Sequence, residues 1–376
     1  MMGNRILITG GAGFIGSFLG DHFLGRGDTV RILDNLDPQV HSGGKPDHLA
    51  PDAELIVADV RDKDAILCAL EGVDIIIHAA AAVGVGQSMY RVRHYVDVNA
   101  CGVATLLEAL IERRQEVRKL VVLTSMTGYG EGVYRRPSDG RLLRPTIRTP
   151  GDVRTYGWDI LDPETGEVLE PVPTSEDAAL QARNVYALSK KWQEELALSI
   201  GDAYGFPTTC LRLFNVYGPR QSLANPYTGV LAIFLSRLLN GEPPVVYEDG
   251  RQTRDFISVH DVVRAVQSAI DTPDSNGRVF NIGSGIPRSI GDVARTLARL
   301  VGREDLQPNI TQTFRRGDIR HCFADCSRAR DVLGFVPVVN WETSLLEIAK
   351  WCEGKPAIDR FRQADRELRL HGLIAE

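Results

Sequence analysis

The 376-residue chain is 43% hydrophobic and 24% charged, with a formal net charge of −6. This is an ordinary globular composition. It offers no basic face for nucleic acid and no polybasic membrane patch, and no apolar run approaches the ~20 residues of a membrane span.

"RILIT" (5–9) is a buried-strand pattern, and "FIGSFLGDHFLGRG" after it reads as a helix. Glycines follow the first apolar run at once, so it does not read as a signal-peptide core. Strand patterns recur at "TVRILD" (29–34), "AELIVA" (53–58), "DIIIH" (74–78), "KLVVLTS" (119–125) and "TTCLRL" (208–213). Helical runs lie between most of them. This alternation predicts an α/β fold, a doubly wound parallel sheet with helices on both faces.

Two regions break the rhythm. Residues 131–180 are rich in proline and glycine and read as a long insertion, expected to touch the substrate mouth. After 214 the elements become mixed: a helix near 229–240, "VVY" at 245–247, "DFISVHDVVRAVQSAI", and a charged helical stretch at 342–372. The expected division is a nucleotide-binding domain over 1–213, with 254–283 returning to it, and a smaller mixed α/β substrate lobe over 214–376.

The six cysteines are scattered and form no disulfide framework, so a reducing cytoplasm is the expected location. Cys322 and Cys326 beside His321 lack a second ligand pair at zinc-like spacing, so no metal site is expected.

"ITGGAGFIG" (8–16) places Gly10, Gly13 and Gly16 between the first strand and the first helix. Glycine allows the tight turn and a close approach to a pyrophosphate, which the helix N-terminus favours; Phe14 and Ile15 lie in the same loop. Asp34 ends the second strand, where a carboxylate accepts from ribose hydroxyls and repels a 2′-phosphate. This favours NAD over NADP. Asp59 is expected at the adenine edge. The small residues Ala79, Ala80 and Ala81 end the fourth strand and leave room for a cofactor.

"NVYALSKKWQEE" (184–195) sets Tyr186 four residues before Lys190 on a helix. At this spacing most such pairs are surface neighbours. The rest of the chain changes that reading. "TGGAGFIG", "DVNACGVATLLEA", "TSMTGYG", "YALSK", "RLFNVYGPR", "RDFISVHDVV", "FNIGSG" and "RRGDIRHCFAD" together resemble the extended short-chain dehydrogenase/reductases, in the NAD-dependent epimerase/dehydratase branch. "LDNLDPQVH", "AAAVGVGQSMY" and "NPYTGVLAIF" look most like nucleotide-sugar 4-epimerases of the dTDP-L-rhamnose 4-epimerase type.

The resemblance implies an isomerase in which Ser125, Tyr186 and Lys190 are catalytic. Tyr186 would take the C4 hydroxyl proton and NAD the hydride, giving a 4-keto sugar that turns and is reduced on its other face. A free phenol has a pKa of about 10, so half ionisation near pH 7.5 needs roughly 3.4 kcal/mol of preferential stabilisation. Lys190 and the nicotinamide are expected to supply it. The resemblance adds Asn35, Val60 and Asn99 to the cofactor set. It adds Gln87 (with its neighbour Ser88), Thr127, Asn215, Arg254, Arg315 and Asp318 to the substrate set, for a nucleotide-diphosphate sugar. Arg316 and Thr124 are alternates if the register slips.

Members that eliminate water commonly carry Asp-Glu after the serine; here Met126 and Thr127 follow. This disfavours the alternatives, a 4,6-dehydratase or decarboxylase. A net reductase or dehydrogenase, or a non-catalytic NAD-binding regulator, are the other rivals. A homodimer is expected through the runs near 91–115 and 185–204, with Val98, Leu106, Leu110, Leu188 and Leu196 as candidate contacts.

Overall fold

The structure is a computed structural model that describes residues 3–41, 44–114, 116–227, 229–355 and 357–375. Thr228, within the quoted "NPYTGVLAIF", lies outside these residues. Seven strands form the central sheet: β1 (Arg5–Thr9), β2 (Thr29–Asp34), β3 (Glu54–Val57), β4 (Ile75–His78), β5 (Lys119–Ser125), β6 (Thr208–Leu213) and β7 (Arg278–Ile282). Their order is β7-β6-β5-β4-β1-β2-β3, and every pair is parallel. The order reverses between β1 and β4, which opens a crevice at the carboxyl ends of the strands.

β1 shows why these runs become central strands. Ile6, Leu7 and Ile8 are fully buried. Ile6 and Ile8 face one layer, with Leu19 and Phe23 of α1 (Phe14–Gly25). Leu7 faces the other, with Leu106 and Leu110 of α2 (Gly102–Arg113) and Ala197 of α3 (Val185–Tyr204). A strand covered on both faces needs apolar residues at every position. Leu106 and Leu110 therefore belong to the protomer's own core and are not available as dimer contacts. Among the described residues of the runs 91–115 and 185–204, the exposed large apolar groups are Val92, Trp192, Leu196 and Tyr204.

The second core lies around Phe256, Phe234, Leu297 and Leu345. It is built by the helices Val230–Leu239, Ile290–Leu300 and Trp341–Cys352. The charged C-terminal stretch is not one helix: it breaks and resumes as Phe361–Leu370, then ends in the strand Ile374–Ala375, paired with Phe314–Arg315.

Residues 131–180 fold more than their composition predicts. Strands Val133–Arg135, Leu142–Leu143 and Glu170–Val172 form an antiparallel sheet. The helix Pro150–Tyr156 starts in a capping box between Thr149 and Asp152. Tyr134, Ile160 and Leu169 make a small core, and Arg136 bonds Asp139, Asp162 and Glu164. Among the described residues, Ile147 alone brings 131–180 to the wall of the central cavity.

Cys322 Sγ bonds Thr174, Cys326 Sγ bonds the Gly283 carbonyl, and His321 bonds Thr253. Among the described residues no group of three His, Cys, Asp or Glu could hold a metal, and no helix is long and apolar enough to cross a membrane.

Candidate active site

A cavity of about 1030 Å³ runs from the β1–α1 loop to the second lobe. At its first end Gly10 has φ +70°, and a Cβ there would lie 2.7 Å from the Ala80 backbone. A Cβ on Gly16 would lie 2.3 Å from the Gly10 carbonyl. Glycine is thus required at both positions, one for the turn and one for the close passage of α1 under the loop. Among the described residues no side chain caps the N-terminus of α1, and Gly13, Phe14 and Ile15 line the cavity there.

Asp34 accepts from the Ala12 and Leu36 backbone N–H groups at 3.1 and 2.9 Å, with His41 3.7 Å away. Each carboxylate oxygen keeps capacity for a further donor. Asn35 donates to Asp59, and the Arg61 guanidinium beside Asp59 holds its carboxyl down at about 2. Val60, Ala79, Ala80 and Ala81 also line this end. A narrow glycine cradle, a free helix N-terminus and a buried carboxylate at the β2 end fit a dinucleotide. Asn99 is not on the wall. It is fully buried, bonded to both backbone groups of Ala82 and to Ser189, and holds the wall from behind.

At the middle of the cavity β5 delivers Ser125 and α3 delivers Tyr186 and Lys190. Asn184 caps α3 by accepting from the Ala187 N–H at 2.8 Å, and Ser88 Oγ accepts from the Tyr186 N–H at 3.0 Å. Both satisfy donors that open the helix. Ser88 is therefore a fastener for the first turn, off the cavity wall. Thr127 donates to Ser125 Oγ at 3.0 Å, and Met126 is buried.

Burial pushes the Tyr186 phenol up, and its hydrogen bond with Ser125 pulls it down. The sequence reading gives the downward pull to Lys190 and the nicotinamide together; in the chain alone it comes from Ser125. Lys190 Nζ donates to the Leu123 carbonyl at 2.7 Å and to Gln193, and burial lowers it to about 7.

At the far end, Arg315 forks onto Asp318 and lies over the Tyr247 ring. Arg254 lines the cavity, yet its two terminal nitrogens donate to the Thr253, Ile319 and Arg320 carbonyls. Much of its donor capacity braces that segment. Asn215 Oδ1 is buried with no partner among the described residues, and a flip of the amide would present its NH2 there. Gln87 lines the wall, but its amide is engaged by Gln39 and the Tyr95 hydroxyl.

The sequence reading missed Gln39, Tyr95, Asn184 and the C-terminal helix, all on the wall. The helix carried a signal. Phe361, Ala364 and Leu368 recur at helical spacing, and Leu368 packs close against Gly86.

The sequence profile of the NAD dependent epimerase/dehydratase family matches residues 6–157 and 162–283. The chain is 36% identical to the dTDP-L-rhamnose 4-epimerase of Burkholderia thailandensis, over 93% of this chain and 95% of that one. The crystal structure of UDP-glucose 4-epimerase from Thermotoga maritima, bound to UDP-glucose, superposes with TM-score 0.75 at 28% identity, covering 92% of this chain and 98% of that one. UDP-glucuronic acid 4-epimerase from Bacillus cereus, solved with UDP-glucuronic acid and NAD, superposes with TM-score 0.75 at 25% identity, with coverage of 92% and 98%. A glycine cradle, a Ser-Tyr-Lys set and a second lobe on one cavity are thus arranged in a chain that belongs to the NAD dependent epimerase/dehydratase family.

Proposed function

We propose that this chain is an NAD-dependent nucleotide-sugar 4-epimerase, an isomerase acting through a 4-keto sugar. The observation that carries the reading is the single cavity that joins the Gly10–Gly16 loop, the Ser125/Tyr186/Lys190 set and the Arg315–Asp318 segment. NAD, when bound, supplies a hydride acceptor for the sugar C4 and a positive charge near the phenol.

Gly10, Gly13, Phe14, Ile15 and Gly16 would hold its pyrophosphate, and Asp34 its adenosine ribose, with Asn35, Asp59, Val60 and Ala79–Ala81 around them. Asn99 would act through Ala82. Tyr186 Oη takes the proton from the C4 hydroxyl and returns it after the sugar has turned. Ser125 donates to the sugar oxygen, and Thr127 orients Ser125. Lys190 holds the nicotinamide ribose. Arg315, Asp318 and Asn215 anchor the nucleotide diphosphate, with Arg254 behind them, and Gln87 borders the sugar.

Elimination of water needs a carboxyl acid and base beside the sugar. The described carboxylates of the wall are Asp34, Asp37, Asp47, Asp59, Asp318 and Asp365. Asp34 ends β2, Asp37, Asp47 and Asp59 lie on the segments after β2 and β3, and Asp318 and Asp365 lie in the second lobe. Met126, Ile147 and Leu368 offer no hydrogen bond that would pin one face of a sugar, which suits a ketone that must turn.

The same reading divides the chain at 213/214, with 131–180 inserted and 254–283 returned to the first domain. It makes the protein cytoplasmic and homodimeric, the second copy covering Trp192 and Leu196. Incubation with UDP-, dTDP-, GDP- and CDP-sugars tests the activity: a C4 epimer seen by NMR supports it, and a net oxidised, reduced or dehydrated product refutes it. Sedimentation of a monomer at micromolar concentration would refute the dimer.

A further inference from the structure

Arg320 and Glu248 are each 1% exposed and bonded to each other at 2.9 Å. Arg320 follows closely on Asp318, in the segment assigned above to the nucleotide diphosphate. From the opposite side Arg148, in the insertion, forks onto Glu248 at 3.2 and 2.8 Å. One buried carboxylate is thus shared by two arginines, one from each body. Glu131, where the insertion starts, is fully buried and accepts from the backbone N–H groups of Arg320 and His321 at 2.7 and 3.3 Å. The Arg148 guanidinium also sits over the Phe314 ring, 5.4 Å from its centre. These contacts seize residues 314–320 from both ends and leave Arg315 and Asp318 on the cavity wall between them.

A buried ion network of this kind is a poor way to gain stability, because desolvation consumes most of the attraction. Well-packed apolar residues would hold an insertion in place as well. What charged forks add is direction: Arg148 forks onto Glu248, while Arg320 forks onto Asp249 and shares Glu248, and together these planar groups fix a single placement. A displacement of even ~1 Å at an anchoring group is costly for a bound substrate.

We propose that the 131–180 insertion is a buttress for the 314–320 segment, and that Arg148 is a positioning residue for nucleotide-diphosphate binding, acting through Glu248 and Arg320. The inference rests on reading Arg315 and Asp318 as the nucleotide end. The insertion, expected to touch the substrate mouth, meets the cavity at Ile147 alone among the described residues.

The test uses the full chain with its NAD. Binding of UDP, dTDP, GDP and CDP is measured by calorimetry for wild type, Arg148→Met and Arg148→Lys, alongside NAD content and, with the sugar that wild type turns over, kcat and KM. Arg148→Met is expected to weaken the preferred nucleoside diphosphate tenfold or more and to raise KM in step. It should leave kcat within threefold and NAD content unchanged, and Arg148→Lys should recover part of the affinity. Should Arg148→Met fold poorly, Glu248→Gln is expected to give the same split. Wild-type affinity in a folded Arg148→Met overturns the proposal. So does a joint fall of kcat, NAD content and affinity, which would mark general structural damage. If wild type binds none of the four nucleotides, the functional reading of the segment fails instead.

Discussion

Lys190 Nζ donates to the carbonyl oxygen of Leu123 at 2.7 Å, which fixes the ammonium against β5 just before Ser125. Burial lowers this group from 10.5 to about 7. Between these values the unfolded chain binds more protons at Lys190 than the folded one does, so stability rises with pH across that window. The contribution is complete above about pH 10.5 and is lost as pH falls through 7. In the cofactor-free protein, wild type should gain on Lys190→Met from pH 7 to 9, with a slope of up to about 1.4 kcal/mol per pH unit. Lys119, lowered by burial to about 8, titrates in both proteins and cancels. Urea unfolding at a series of pH values checks this, and a pH-independent difference would contradict it.

Tyr186→Phe removes the oxygen that carries the proton and little else. Turnover is expected to fall by about 10²–10⁴, the usual worth of a positioned acid–base group. NAD content should be unchanged, because the ring still packs edge-on to Tyr95. Activity within tenfold of wild type would remove Tyr186 from the proposed role.

Ser88→Ala takes away the acceptor of the Tyr186 N–H. The expected cost is about 1 kcal/mol of stability, as for a lost helix cap. A few-fold drop in kcat should accompany it as the first turn of α3 loosens. Ser88→Thr should restore both. Urea midpoints and kcat give the comparison.

Asp34→Ala should narrow the preference for NAD over NADP by tenfold or more, because it removes both a ribose acceptor and the charge that repels a 2′-phosphate. It also frees the Ala12 and Leu36 N–H groups, so absolute affinities will drop. The ratio of the two dissociation constants, measured on apoprotein, is the decisive quantity. An unchanged ratio would leave Asp34 only its role in the loop.

The central sheet was legible because its strands are buried on both faces. Ile6-Leu7-Ile8 and Ile75-Ile76-Ile77 leave no other reading. β7 was harder, since "RVFNI" is short, begins with an exposed Arg278 and follows a turn. The glycines, Asp34 and the Tyr186/Lys190 pair were legible because local spacing encodes their geometry. Ser88 with Tyr186, Gln39 with Gln87, and Asn99 with Ala82 were not, because each pair meets only after the chain has folded. The insertion was opaque for a related reason. Its order comes from Arg136 and Arg148 gathering carboxylates that are far apart in sequence, and its prolines and glycines mask short strands.

The most direct test follows the hydrogen at the reacting carbon. UDP- and dTDP-hexoses carrying deuterium at C4 are incubated with the purified protein in ordinary water, and the unlabelled sugars in heavy water, with products read by NMR. The account predicts a C4 epimer that keeps its deuterium in the first case and gains none at C4 in the second, with no NADH accumulating. Exchange of the C4 label with solvent, or a 4-keto-6-deoxy sugar as the accumulating product, would contradict it.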